Sequence, residues 1–194
     1  EARPHPQNGA HGPRAKCCGG LVAPDAQAML ARLGLGIPRH VLTGPQLFVV
    51  RTVDIPSGQD RYYQRFYINI DRGAFDAWLL SLVPPDVEVR LGARVTGIDP
   101  ADNGFRIRSR VGSCTATDTA RIVVGADGAR SVVRRTVLPD APGVPVYMAI
   151  QETIRTDRSD PHFLVVFDPA VTDYYSWVIP KLDTLLIGAA LPPG

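Results

Sequence analysis

The stretch Ile122-Val123-Val124-Gly125-Ala126-Asp127-Gly128-Ala129-Arg130-Ser131-Val132-Val133-Arg134 decides how the rest of the chain is read. Ile122, Val123 and Val124 form a continuous apolar run, the pattern of a strand buried on both faces of a parallel sheet. The run ends at two glycines flanking one carboxylate, and Ser131 is placed to start a helical segment. Glycine lets the backbone turn sharply and approach a ligand closely. A short carboxylate at the carboxyl end of a strand is well placed to accept hydrogen bonds from ribose or ribityl hydroxyls, where α/β sheets bind ligands. The same spacing also describes a plain strand-to-helix turn whose aspartate caps backbone amides. The ligand reading therefore depends on Asp127 facing a ligand's hydroxyls and not its own neighbouring amides.

Upstream, Ala26, Met29, Leu30 and Leu33 recur at helical spacing between Pro24 and Gly34, which predicts a helix. Segments 46–54 and 61–68 are rich in β-formers and flank Pro56-Ser57-Gly58, so they read as paired strands. A second helix follows Asp71 as its cap, with Phe75, Trp78, Leu79 and Leu82 as its apolar stripe and Pro84-Pro85 as its stop. Short strands are expected over 87–90, 93–98 and 104–111, the last two joined by Pro100-Ala101-Asp102-Asn103. From about Val144 onward the pattern is again short strands, including 163–167, 176–179 and 184–189, whereas residues 2–20, rich in Pro, Gly and His, read as a loop. A buried parallel strand beside separate β-rich segments argues for α/β architecture with an added antiparallel sheet.

Composition removes several alternatives. The chain has 194 residues, 45% of them hydrophobic and 21% charged, which is enough for a sizeable core. A formal charge of +2 without a clustered basic face leaves nucleic acid without an electrostatic footprint. Cys17, Cys18 and Cys114 match neither a disulfide framework nor zinc spacing, so a reduced, cytoplasmic setting is expected. No apolar run reaches the roughly 20 residues of a membrane-spanning helix. His5, His11, His40 and His162 have no ligand or triad spacing, and no metal is expected.

Gly125-Ala126-Asp127-Gly128-Ala129-Arg130-Ser131-Val132-Val133-Arg134-Arg135 resembles the second flavin motif of the group A flavoprotein hydroxylases and of the geranylgeranyl reductase family. Three further segments resemble the latter. Lys16-Cys17-Cys18-Gly19-Gly20 is similar to its KxCGG loop, with Cys17 where Pro is common and Cys18 in the place of the family cysteine. Asp71-Arg72-Gly73-Ala74-Phe75-Asp76-Ala77-Trp78-Leu79 is similar to its R-x-x-F-D-x-x-L helix. Tyr175-Ser176-Trp177-Val178-Ile179-Pro180-Lys181 is similar to its P-x-x-Y-x-W-x-F-P segment, departing at Thr172 and Ile179. The resemblance runs over nearly the whole chain. It implies a Rossmann-like FAD-binding domain over 1–44 and 69–142, interleaved with an antiparallel substrate domain over 45–68 and 143–194.

The resemblance also implies roles. Asp127, with Gly125 and Gly128, would meet the ribityl–pyrophosphate region of FAD; Arg72 would lie near the flavin, and the backbone at Val95 would meet the adenine. Glu1-Ala2-Arg3-Pro4 is similar to the end of the family's second strand, whose Glu holds the adenosine ribose. No GxGxxG occurs in the chain, so the first strand and dinucleotide loop are expected upstream and the chain reads as an internal fragment, inactive alone and a poor binder of FAD. Cys18 is the candidate catalytic residue, against the usual fate of a free Cys as a small buried hydrophobe. Tyr175 and Trp177 would share one face of a strand, as a substrate wall or as ordinary packing aromatics. The implied activity is reduction of carbon–carbon double bonds in an isoprenoid or related lipid, with electrons from NAD(P)H or a reduced ferredoxin-like carrier. Peripheral membrane contact is compatible with a lipid substrate, although no amphipathic helix in the chain argues for it. An aromatic or polyketide monooxygenase is the competing flavin reading, and a non-catalytic remnant or binding module the competing reading from another class.

Overall fold

The computed structural model describes residues 18–157 and 160–192. Contacts divide them into two compact units, one over 84–146 and one over 18–83 with 147–192.

The larger unit is built on a seven-stranded sheet. Its strands are β1 (Leu21–Val22), β2 (Leu47–Asp54), β3 (Gln59–Asn69), β7 (Met148–Arg155), β8 (His162–Phe167), β9 (Ser176–Lys181) and β10 (Thr184–Leu191). The spatial order is β1-β3-β2-β8-β9-β10-β7. The expected pairing of 46–54 with 61–68 is present as the antiparallel β2–β3 hairpin. The sheet is mixed, however, and not purely antiparallel, because β2 and β8 pair in parallel, Val50 opposite Phe163. Strand β7 falls under the general expectation of short strands beyond Val144 but was given no bounds; Met148, Ile150 and Ile154 alternate along it, yet all three are exposed.

Two helices of this unit form where their signals stand. Helix α1 (Pro24–Arg32) begins on Pro24, whose fixed φ suits the first turn. Helix α2 (Arg72–Ser81) is capped by Asp71, whose side chain accepts from the Ala74 amide at 2.8 Å. A single 3-10 turn, Arg39–Val41, lies between α1 and β2. Val22, Val41 and Ile70 make a small core that Leu30, Phe75 and Trp78 cover from the helices. A second core, on one face of the sheet, joins Leu47, Val50, Phe163, Val165 and Ile179, with Tyr67, Tyr175, Trp177 and Leu186 packed on it.

Trp177 lies flat because of what stands beside it. Its neighbour across β10 is Gly188, where an added Cβ would come within 2.6 Å of the indole and 2.6 Å of the Ile150 carbonyl oxygen. The indole therefore crosses β10 and donates from Nε1 to Gln151 of β7 at 3.3 Å. Gly188→Ala is expected to lift the ring, at an overpacking cost of about 1–3 kcal/mol. In a Trp78→Phe background the change should appear as a red shift of the remaining tryptophan emission; an unshifted spectrum would contradict the packing.

The smaller unit carries β4 (Arg94–Ala101), β5 (Gly104–Val111) and β6 (Cys114–Ala120) in one antiparallel sheet, with helix α3 (Val132–Val137) against β4. Strand β6, Cys-Thr-Ala-Thr-Asp-Thr-Ala, escaped the sequence reading because it lacks large apolar residues and is mostly exposed. Two expectations are corrected here. Residues 87–90 form no strand; Arg90 instead pairs with Glu88 and Asp118. The run Ile122–Val124 is not a buried parallel strand: it forms no ladder, and Ile122 and Val124 are 79% and 83% exposed. Strand geometry needs a partner for its backbone groups, and no described strand lies beside this run. The described residues are thus mostly β, without a parallel Rossmann sheet among them.

Candidate functional site

The residues singled out around Cys18 converge on one polar knot. After Cys18 the chain makes a tight turn through Gly20, whose φ of +60° is a left-handed conformation natural to glycine. A Cβ on Gly20 would also sit 2.5 Å from the Ile70 carbonyl oxygen and 2.7 Å from Lys181 Nζ. The second glycine of the Cys18-Gly19-Gly20 turn is therefore required by packing. Cys18 Sγ accepts from the Gly20 amide at 3.5 Å and from Arg72 Nη1 at 3.3 Å. Arg72 Nε donates to Asp76 one turn along α2 at 2.8 Å. Burial works against the charge of Arg72, and the hydrogen bonds to Asp76 and Cys18 outweigh it, so its pKa is raised.

Lys181 fastens this turn from the far side. Its Nζ donates to the Gly20 carbonyl at 3.1 Å, to the Ile70 carbonyl at 2.9 Å and to Asn69 Oδ1. Burial pushes its pKa down to about 8, while the nearby Cys18 and Asp71 pull it up. Asn69 is fully buried and uses its whole side chain: Nδ2 donates to the Pro45 and Pro180 carbonyls at 2.8 and 2.9 Å. Gln46 closes the set, accepting from the Asn69 amide at 3.0 Å and donating to the Asn69 carbonyl at 3.1 Å. Lys181, Asn69 and Gln46 were not singled out in the sequence. The available signals were small: an Asn closing a β-rich segment, and a Lys set between Pro180 and Leu182.

Beside this knot is an apolar cavity of about 350 Å³, with Cys18 and Arg72 at its polar end and Leu21, Val22, Leu30 and Phe75 among its walls. Tyr175 and Trp177 pack edge to face at 6.0 Å on the core-bearing face of the seven-stranded sheet. Thr172, at the place where the resembled motif has Pro, is buried; its hydroxyl donates to the Ala190 carbonyl and accepts the Tyr174 amide at 3.1 Å, tying the approach to β9 onto β10.

The other candidate residues lie in the smaller unit. Val95 is on β4, next to the bulge that precedes Gly97. Gly125 allows close packing, since a Cβ there would meet Val133 at 2.8 Å. Gly128 has a φ of +80°, and its carbonyl accepts from the Ser131 amide at 3.0 Å. The Asp127 carboxylate accepts from the Ser131 hydroxyl and from the amides of Val132 and Val133 at 2.6 and 3.4 Å. The Ser131 hydrogen bond, followed by those amides, lowers its pKa. Its observed partners are thus its own helix start, the capping arrangement that the spacing also allowed. Ser131 completes the cap by accepting from the Arg134 amide at 2.9 Å. Ser131→Ala should cost about 1 kcal/mol through loss of the cap, measured by urea unfolding; an unchanged midpoint would count against it. Glu1 lies outside the described residues.

No protein-family profile matches the chain. It is 43% identical over 186 residues to Protein CbrA of Shigella sonnei (strain Ss046), an alignment covering 96% of this chain and 52% of that protein. The chain spans about half the length of the curated relatives it matches. Among solved structures it is similar to a geranylgeranyl bacteriochlorophyll reductase-like protein from Thermoplasma acidophilum, with a TM-score of 0.74 at 17% identity, covering 90% of this chain and 46% of the other. The chain has the fold of flavin-dependent oxidoreductases. The flavin-dependent brominase Bmp2 gives a TM-score of 0.68 at 17% identity over 90% of this chain and 46% of the other. The p-nitrophenol 4-monooxygenase PnpA from Pseudomonas putida DLL-E4 gives 0.67 at 18% identity over 97% of this chain and 50% of its own. At these identities the shared property is the fold. No described helix is long and apolar enough to cross a membrane.

Proposed function

We propose that this chain serves an FAD-dependent oxidoreductase that reduces carbon–carbon double bonds of an isoprenoid or related lipid. One observation carries the reading beyond the fold. Strand β9 bears Trp177 on the aromatic face of the sheet and, four residues on, Lys181, which fastens the Cys18 turn. A candidate substrate wall and a candidate reactive thiol are thereby held by one rigid element.

The residues on this side fit a flavin. The cavity volume lies in the range of small-ligand sites, its walls are apolar, and Arg72 holds a fixed positive charge at its end. When bound, the flavin supplies the hydride transfer, and the protein supplies placement. Arg72 has guanidinium N–H groups beyond those given to Asp76 and Cys18, which suit an anionic part of the cofactor. Cys18 is placed to hold or deliver a proton at Sγ, and Trp177 and Tyr175 exclude water from an apolar chain laid against them. NAD(P)H or a reduced ferredoxin-like carrier would supply the electrons.

The test uses the whole protein with reduced FAD under anaerobic conditions and a polyprenyl lipid. Gain of two hydrogens per double bond, read by mass spectrometry, is the expected result. Oxygen uptake triggered by an aromatic substrate, with no reduction of the lipid, would overturn it in favour of a monooxygenase. Residues 1–194 alone, which contain no GxGxxG, are expected to bind FAD weakly in a fluorescence titration. Micromolar binding would refute that expectation.

A further inference from the structure

The aromatic residues before and within β9, with Tyr147 just before β7, are arranged as a connected file that substrate packing does not require. Trp177 meets Tyr175 at 6.0 Å between ring centroids, Tyr175 stacks on Tyr174 at 4.4 Å with an interplanar angle of 26°, and Tyr174 meets Tyr147 at 5.5 Å. The file ends at solvent: Tyr174 and Tyr147 are 48% and 38% exposed, whereas Tyr175 and Trp177 are half-buried. At that end the Tyr147 hydroxyl donates to Asp173 Oδ2 at 3.0 Å.

We propose that Trp177, Tyr175, Tyr174 and Tyr147 form a redox relay, which carries an oxidising equivalent from the aromatic face of the sheet to the surface, with Asp173 as the proton acceptor. Each member is one of the two readily oxidised aromatic side chains, and each ring touches the next. A one-electron organic oxidant, such as a photoexcited isoalloxazine ring, takes one electron from the Trp177 indole and is reduced by one electron. Successive single-electron transfers from Tyr175, Tyr174 and Tyr147 refill the vacancy. At Tyr147 the phenolic proton passes to the Asp173 carboxylate, and a neutral tyrosyl radical remains. A soluble one-electron reductant such as ascorbate then supplies the electron, and Asp173 returns the proton. The hydrogen bond to Asp173, followed by burial, raises the pKa of Tyr147, so the phenol keeps its proton until it is oxidised. In a flavin enzyme such a path would drain oxidising equivalents from the substrate face before they damage it.

The flavin reading supplies only the natural oxidant, and the test does without it. A ruthenium tris-bipyridyl label is attached at Thr153→Cys, in the full chain with Cys17, Cys18 and Cys114 replaced by serine and folding checked by circular dichroism. Thr153 is exposed and lies on the same face of β7 as Gln151, the partner of Trp177. It is six residues from Tyr147, roughly 20 Å along an extended strand, so direct oxidation of that end is disfavoured. Flash-quench oxidation with a spin trap should give adducts mapped to Tyr147. Tyr174→Phe and, separately, Trp177→Phe should each lower that yield at least tenfold. Asp173→Asn, which keeps an acceptor oxygen but not the basic carboxylate, should slow formation of the tyrosyl signal in electron paramagnetic resonance. Adducts that stop at Trp177 in the reference chain, or a Tyr147 yield unchanged by Tyr174→Phe or Trp177→Phe, would overturn the relay. Either outcome leaves the proposed reductase activity to its own assay.

Discussion

Asn69→Ala is expected to lower the unfolding free energy by about 3 kcal/mol, the range for removing one partner of a buried, hydrogen-bonded charge. Asn69 is completely enclosed, and its side chain serves three groups at once: the Lys181 ammonium and the Pro45 and Pro180 carbonyls. Alanine strips one acceptor from a buried cation and leaves two carbonyls without their donor. Asn69→Asp separates the contributions. If the ammonium contact dominates, aspartate should restore or exceed the original stability, because it offers a charged acceptor. If the two carbonyls dominate, aspartate should be as damaging as alanine, because it donates to neither. The geometry favours the second outcome, with two of the three bonds made by Nδ2. Chemical denaturation of the three proteins decides it; a loss below about 0.5 kcal/mol for Asn69→Ala, the ordinary scatter of surface substitutions, would refute the role given to this residue.

The same residue shows why the site was only partly legible in the sequence. The helices and the β2–β3 hairpin were readable because their signals are local: Pro24 at a first turn, Asp71 as a cap, and Pro56-Ser57-Gly58 at a turn between β-formers. The resemblance placed Cys18 and Arg72 each near the flavin but named no contact between them, and 54 positions separate the two residues. Lys181 and Asn69 are 112 positions apart, and nothing in either segment names the other. The run Ile122–Val124 failed for the opposite reason. Its apolarity describes what it would bury, not whether a neighbouring strand is present, and pairing cannot be read from three residues. Asp127 carried two meanings in sequence, and its observed hydrogen bonds all go to its own turn. The flavin reading therefore rests on the fold and on the Cys18 side, more than on the carboxylate that first suggested it.

Lys181→Met is expected both to destabilise the protein at neutral pH and to remove a pH dependence that the unsubstituted chain should show. At pH 7 the ammonium uses all three N–H groups, on Gly20, Ile70 and Asn69. Methionine fills much of the same space and satisfies none of these oxygens, a loss of about 2–3 kcal/mol. The pH dependence follows from the proton itself. In the unfolded chain a lysine keeps its proton up to about pH 10.4. In the fold, burial brings the pKa to about 8. Between these values the unfolded state binds more protons than the folded one, so stability rises with pH across that window and is flat below it. The groups facing the ammonium, Cys18 and Asp71, limit the effect but do not reverse it. Between pH 7 and 9.5 the reference chain should gain about 1–2 kcal/mol relative to Lys181→Met, allowing for the part of the side chain that solvent still reaches. Urea unfolding at half-unit intervals measures the difference, and subtracting the variant cancels cysteine and tyrosine titrations common to both. Parallel curves for the two proteins would show that the ammonium is not buried as described, and that the Cys18 turn is fastened by something else.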